Sequence, residues 1–461
     1  MRADTVMQIM PSAFKKNVPK LLLCLIFCST VTAPASAQNE ENRERLGPEA
    51  ASFEPHFFSI DSAFVQIDIL YRIRYDFFVF TYDISSPENF KGGGNLSIEL
   101  LDSSEASVVR RFISLDLTTE NNSSQNLREK YYEGGVSFSV HPGRYRVVYH
   151  LEDKESQREY SDSKRVILVP KFSSSRSVQS SFVFVEPVDS LKPTTVFTPY
   201  DIGDNIVFGD NAGVMFAART GFQPAEIHYT LLRITGDDNT SEPVQRDTTL
   251  FLSYEDGMRP KLQPLDSGTV KYVPARDSTT SLAYFTVPTA HLEQGRYSAA
   301  FYFTSGDTAR IRKEFFIRWV NMPFSLTDLD FAVRAMKYIT TDSEYDDLQS
   351  GGRSARIKKF ENFWKRRDPT PSTAYNEMMA EYFRRVDYAF SQYRTFKQEN
   401  GALTDRGRIY ILYGKPSSID RTLEPGEAPK EIWTYSSLKK EFVFEDPSRQ
   451  GNYRLTSTGD Q

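Results

Sequence analysis

Five consecutive residues near the C-terminus, Thr404-Asp405-Arg406-Gly407-Arg408, set one acid between a hydroxyl and two guanidinium groups. Arg406 and Arg408 can present planar forks to a carboxylate or phosphate, and Gly407 lets the backbone come close to whatever they hold. The same residue types also serve a fold. Asp405 can cap a turn and pair with an arginine, while Gly407 can supply a positive φ. Trp364 and Trp433, with Tyr410, Tyr413 and Tyr435, suit either a carbohydrate- or peptide-binding groove or a core between helix and sheet. Asp368-Pro369-Thr370-Pro371 is rigid punctuation between helices and a candidate recognition loop. Glu377 and Glu381 lie one helical turn apart. Paired carboxylates can hydrolyse glycosides, but that chemistry sets them on opposite walls of a cleft, not stacked on one helix.

The remaining chemistry is sparse. His56, His141, His150, His228 and His291 show no ligand spacing, and both cysteines, Cys24 and Cys28, fall within the first 37 residues. No catalytic residue, cofactor or metal ligand is therefore assigned, and the chain is expected not to be an enzyme. Residues 1–37 read as a secretory signal peptide: Lys15, Lys16 and Lys20, an apolar run from Leu21 to Val31, then Ala35-Ser36-Ala37 before Gln38. Leu23 and Phe27, just before the cysteines, are too large for a lipid-attachment signal. The apolar run is too short to span a bilayer, and no other stretch approaches the length required. Removing Arg2, Asp4 and the three lysines takes the net charge from −5 to −8, which disfavours nucleic acid and anionic membranes as global partners.

The elements that must position these residues are mainly β. There are 34 Phe and 25 Tyr against 3 Trp, and Phe64 to Ile73 alternates with period two. Phe77-Phe78-Val79-Phe80, a Gly92-Gly93-Gly94 turn and Leu96 to Leu100 continue the pattern, as in a sandwich. Pro142-Gly143-Arg144-Tyr145 and Gln294-Gly295-Arg296-Tyr297 repeat a turn, a tyrosine and a strand. They predict two immunoglobulin-like β-sandwiches, with Ser173 to Ser177 as linker. The expected division is signal 1–37, leader 38–55, sandwiches over 56–172 and 178–320, and an α+β unit over 321–461.

In that last unit, Thr327 with Asp330 predicts a capped helix, and Ile357 to Trp364 a second. A third, longest helix starts near Ser372 or Thr373 and carries an apolar stripe from Tyr375 to Phe396. Short strands are predicted over 408–413, 431–435, 441–445 and 452–456. Residues 351–398 hold eleven basic and five acidic side chains, a patch that an acidic partner can use or that two solvated helix faces can explain.

These C-terminal motifs resemble the GWxTD domain family of exported bacterial proteins. The resemblance rests on Gly401-Ala402-Leu403-Thr404-Asp405, on Phe363-Trp364 followed by Arg367-Asp368-Pro369-Thr370-Pro371, and on Asn376-Glu377 with Glu381-Tyr382 and Arg385-Val386. Ile432-Trp433-Thr434-Tyr435 and Phe442 to Asp446 extend it. It covers roughly residues 321 to 458, and Ala402 stands where the name-giving Trp belongs. The family's activity is undefined, so the resemblance implies an exported protein and no mechanism.

The expected function is a non-enzymatic binding or assembly module of the cell envelope, periplasmic, outer-membrane-associated or extracellular. Its C-terminal domain would dock an envelope protein or cell-wall partner through Thr404, Asp405, Arg406, Gly407 and Arg408, flanked by Trp364, Asp368 and Trp433. The rival is a hydrolase of envelope polymers using Glu377 and Asp405.

Overall fold

A computed structural model describes residues 51–460 except 84, 87–88, 174–176, 201, 204, 223, 236–239, 266–267, 304–309, 321 and 396–397. The expected signal peptide and all of the leader before residue 51 lie outside the described residues, as does the middle of the Ser173–Ser177 linker. Residues 51–55, expected as leader, instead open the first strand.

The first sandwich is built from β1 (Ala51–Ser59), β2 (Val65–Arg74), β3 (Thr81–Tyr82), β4 (Phe90–Leu101) and β5 (Ser107–Thr119). A short helix α1 (Ser124–Glu129) precedes β6 (Tyr131–Val140), β7 (Gly143–Asp153) and β8 (Glu159–Val169). One sheet runs β1-β2-β6; the other runs β5-β4-β7-β8, with β3 on the end of β4. The alternation of β2 puts Val65, Ile67, Ile69 and Ile73 into the core between them. Two aromatic and glycine segments differ from expectation. Tyr75–Phe77 form a 3-10 turn rather than a strand, with Phe77 and Phe78 plugging the core. Gly92 to Gly94 lie inside β4 rather than in a turn, because neighbouring backbone crowds them. A Cβ on Gly94 would sit 2.3 Å from the Glu152 carbonyl oxygen.

The second sandwich contains β9 (Val183–Val185), β10 (Asn205–Val207), β11 (Ala212–Arg219), β12 (Glu226–Thr235) and β13 (Thr240–Phe251). The long β14 (Ser253–Leu265) and β15 (Thr269–Val287) follow, then β16 (Gly295–Tyr302) and β17 (Ile311–Arg318). Its sheets run β10-β17-β16-β12-β13 and β14-β15-β11-β9. The repeated Gly-Arg-Tyr is a shared structural device. Tyr145 donates its hydroxyl to His141 O at 2.9 Å, and Tyr297 donates to Glu293 O at 2.8 Å. Each buried tyrosine thereby ties a strand start to the carbonyl four residues earlier, in the manner of the tyrosine corner of immunoglobulin-like sandwiches.

The two sandwiches share a core. Phe58 and Leu70, on the outer face of the first sheet, pack with Val183, Val185, Met215, Leu262, Val270 and Tyr272. That face also buries polar groups. Asp68 is fully buried, and its Oδ1 accepts from Ser137 Oγ at 2.7 Å and Gln66 Nε2 at 2.8 Å. His56 stands opposite it on β1, the Tyr272 hydroxyl faces it from β15, and Arg259 approaches from β14 through Gln66. Burial is the largest influence and pushes the Asp68 carboxyl above the ordinary range; its hydrogen bonds and Arg259 oppose this. The sign follows directly. A raised folded-state value means the native protein holds this proton more tightly than the unfolded chain. Stability from this group is then greatest below the ordinary carboxylate value and falls as pH rises through the folded value. Asp68→Asn is expected to flatten that fall. Melting temperature against pH for both proteins tests it; parallel curves would sink the idea.

The C-terminal unit has α2 (Leu329–Ala335), α3 (Asp342–Gln349), α4 (Arg353–Lys365), α5 (Glu377–Gln392) and α6 (Asp405–Tyr413). An antiparallel sheet β18-β19-β20-β21 follows: Ser418–Thr422, Lys430–Tyr435, Lys440–Glu445 and Arg454–Asp460. Several expectations are corrected here. Thr327 ends a 3-10 turn, and Asp328 caps α2 instead. The capping box belongs to Thr341 and Glu344 at α3, a helix the apolar periodicity did not reveal. The long helix is shorter than expected and starts after Asn376, whose Oδ1 accepts from Met379 N at 2.8 Å. Tyr375 precedes it and packs against Trp319; Phe396, the expected end of the stripe, lies outside the described residues. Residues 408–413, predicted as a strand, are helical within α6.

Candidate docking site in the C-terminal domain

Three backbone segments stack at the signature residues. α5 buries Tyr382, Phe383, Val386 and Ala389. The 3-10 turn Gly401–Leu403 lies directly on it: a Cβ on Gly401 would come 2.3 Å from Ala389 O. α6 lies on that turn in the same way, for a Cβ on Gly407 would come 2.0 Å from Gly401 O. Gly407 is thus required by close approach inside a helix, not by a positive φ. Thr404 closes the stack. Its hydroxyl donates to Gly401 O at 2.8 Å and accepts from Gly407 N at 3.0 Å, capping α6.

Asp405 and Arg406 fasten α6 to the sheet. Asp405 Oδ2 accepts from Leu455 N at 3.0 Å, and Oδ1 meets Arg408 Nη2 at 3.4 Å. The Arg406 side chain is 13% exposed and pairs with Glu431, 5% exposed, at 3.4 Å. It also donates to Gly451 O at 3.2 Å, and its guanidinium lies 4.3 Å over the Tyr453 ring. Glu431 additionally accepts from Arg421 Nε at 3.1 Å and from the Trp433 indole at 3.2 Å. Trp433 is fully buried between Tyr393 and Phe444. Trp364 is buried with Phe360, Tyr382 and Phe383. Asp368 accepts from Thr370 N at 2.9 Å, the turn expected of an Asp-Pro-Thr-Pro segment.

The structure therefore joins Thr404, Asp405, Arg406 and Gly407 with Trp433 in one internal clamp. It places Trp364 in the helical core and leaves Arg408, Asp405 and Asp368 partly exposed. The carboxylates also have structural partners. Glu377 accepts from the Thr370 hydroxyl, and Glu381 holds Arg384 and Arg385 at 2.7 Å each. Asp387 accepts from Phe324 N and Ser325 N, and burial pushes its carboxyl upward. Ala402 is buried, and its carbonyl accepts from the Tyr338 hydroxyl at 2.9 Å. The position of the missing Trp is thus interior.

Most of the basic patch is likewise engaged. Arg356 pairs with Asp330, Lys359 with Asp347 and Arg367 with Glu344. Lys358, Lys365 and Arg366 differ: all three are exposed, the first two on α4 and Arg366 at its C-cap, with no ion pair among the described residues. One site was missed by sequence reasoning. A cleft of about 770 Å³ is lined by Glu133, Glu186, Tyr200, Asp210 and Thr373, which converge only in the fold. Tyr200 donates to Asp210 there at 2.8 Å, and none of the signature residues lines it.

Residues 300–459 match the family model for the GWxTD domain. None of the curated proteins matches. Among solved structures, the chain is similar to the C-terminal domain of the AgI/II polypeptide BspA of Streptococcus agalactiae, at 8% identity over 58% of this chain and 99% of that one, with a TM-score of 0.12. A protein described as membrane anchored from Corynebacterium diphtheriae aligns at 10% identity over 59% and 60%, TM-score 0.14. BcpA, the major pilin subunit of Bacillus cereus, aligns at 10% over 49% and 64%, TM-score 0.09. Scores this low carry no argument about activity.

Proposed function

We propose that this chain, which carries a GWxTD domain across residues 300–459, is an exported, non-enzymatic binding module whose C-terminal domain docks an acidic envelope protein or polymer. The observation that carries this is the set Lys358 and Lys365 on α4 with Arg366 at its C-cap. Three exposed cations with no ion pair among the described residues, with Glu361 between Lys358 and Lys365, leave a net positive patch on a chain of net negative charge that favours an acidic surface. The Thr404–Arg408 clamp supports this role indirectly, by fixing the helices relative to the small sheet. Arg408, Asp405 and Asp368 are the signature-set members with exposed surface to offer. The envelope location rests on the signal-like N-terminus together with the domain resemblance.

In-cell crosslinking and affinity capture with the full chain test the reading. Lys358→Glu, Lys365→Glu and Arg366→Glu combined are expected to lose the captured partner while thermal unfolding stays the same, since exposed substitutions of this kind barely move stability. An unchanged partner set would overturn the assignment to α4.

A further inference from the structure

Sheet edges are aggregation templates, and the two sandwiches blunt most of theirs. β1 is covered at its C-terminal end by Gln179 and Ser181, which exchange backbone hydrogen bonds with Ser59 and Phe57. β6 meets the β14–β15 turn, where Glu133 N donates to Gly268 O at 2.8 Å. β8 is bulged opposite Val147 to Tyr149. β13 contains Pro243 and two register shifts, and β14 contains Pro260 and Pro264. β9 and β10 are three residues each. β5 is the barest of these edges, with one such device, the core-facing Arg111, whose guanidinium lies 5.9 Å over Phe138. It runs thirteen residues without proline, pairs among the described residues only with β4, and its sole irregularity there falls at its first residues. Its outward face exposes Phe112 at 75% and Val108 at 46%.

We infer that β5 pairs antiparallel with β5 of a second copy of this chain, about a two-fold axis at Ile113, the midpoint of the strand. The strand is self-complementary only about that point. Arg110 then stands opposite Asp116 of the other copy, twice by symmetry, and Val109 opposite Leu117. Moving the axis by one residue either way sets Asp116 opposite Val108 or Phe112 and dissolves both charge pairs. The Asp116 carboxylate is 86% exposed and the Arg110 side chain 48%, so both can reach across while keeping their contacts to Lys154 and Glu99. Pairing all thirteen residues supplies about a dozen backbone hydrogen bonds and joins two five-stranded sheets into one of ten.

Sedimentation of the full chain across concentration, with Cys24 and Cys28 replaced by Ser, tests the pairing. A dimer is expected at about 100 µM or below. Asp116→Lys turns both charge pairs repulsive and should weaken the dimer about tenfold or more, with the fold checked by its unchanged melting curve. Ile113→Cys places the sole thiols across the axis at a Cα separation of about 5 Å, within disulfide reach, and should crosslink on mild oxidation. Val109→Cys, set opposite Leu117, should not. A monomer at about 100 µM overturns the inference. So does a dimer indifferent to Asp116→Lys, or one that Ile113→Cys fails to crosslink. Protection of β5 amides only in the presence of envelope extract would assign the edge to a strand of another protein instead.

Discussion

Gly407→Ala is expected to loosen α6 and cost about 3 kcal/mol or more of local stability. Two effects oppose each other at this position. Alanine is the better helix former by about 1 kcal/mol, and Gly407 sits inside a nine-residue helix. Against that gain, the new methyl would meet the Gly401 carbonyl oxygen at 2.0 Å, and the obstacle is backbone, not the end of a side chain that can swing away. The Gly401 turn cannot yield either, because it rests on Ala389 O of α5. The steric term therefore wins, and the displacement strains the Thr404 bridge between Gly401 O and the backbone N–H of residue 407. Amide exchange in α6 reads the effect locally. Gly352→Ala, at the N-cap of α4 with open space around it, is the control and should shift stability by no more than about 1 kcal/mol, the cost of a poorer cap. Equal behaviour of the two variants would dismiss the stacked-backbone account.

The β-sandwiches were legible because their evidence is local. Phe64 to Ile73 alternates in the sequence as it does in the core, and the Gly-Arg-Tyr repeat marks two tyrosines with the same hydrogen bond. What failed depended on contacts between distant segments. Arg408 to Tyr413 is rich in strand-formers, and its helical state is decided by the Thr404 cap and by a stack running through Gly401 to α5. Asp68 reads as the solvent side of an alternating strand, yet the second sandwich covers that side. The aromatic residues around the signature look the same whether they line a groove or fill a core, and only the packing of Trp364 and Trp433 separates the two. The departure at Ala402 becomes interpretable for the same reason. An interior position held by Tyr338 makes it a change of packing, with no side chain offered to a partner.

Arg406→Ala is expected to cost about 3 kcal/mol, through what it leaves behind more than through what it removes. Glu431 stays buried with Trp433 and with Arg421, whose side chain is 69% exposed and therefore a weak replacement counter-charge. The Gly451 carbonyl loses its donor, and Tyr453 its cation. Arg406→Lys keeps the charge but not the fork or the planar face, so an intermediate loss of about 1–2 kcal/mol is expected. A double-mutant cycle with Glu431→Gln isolates the pair, and a coupling near zero would show that Arg406 acts through Tyr453 and Gly451 alone. Exchange of the β19 and α6 amides gives the stability, and crosslinked capture gives the binding. If Arg406→Lys keeps its partner while losing stability, the signature arginine is a fastener and the contact lies on α4. If it loses the partner at full stability, the recognition surface returns to the Thr404–Arg408 segment, and the exposed edge of Arg408 becomes its first candidate contact.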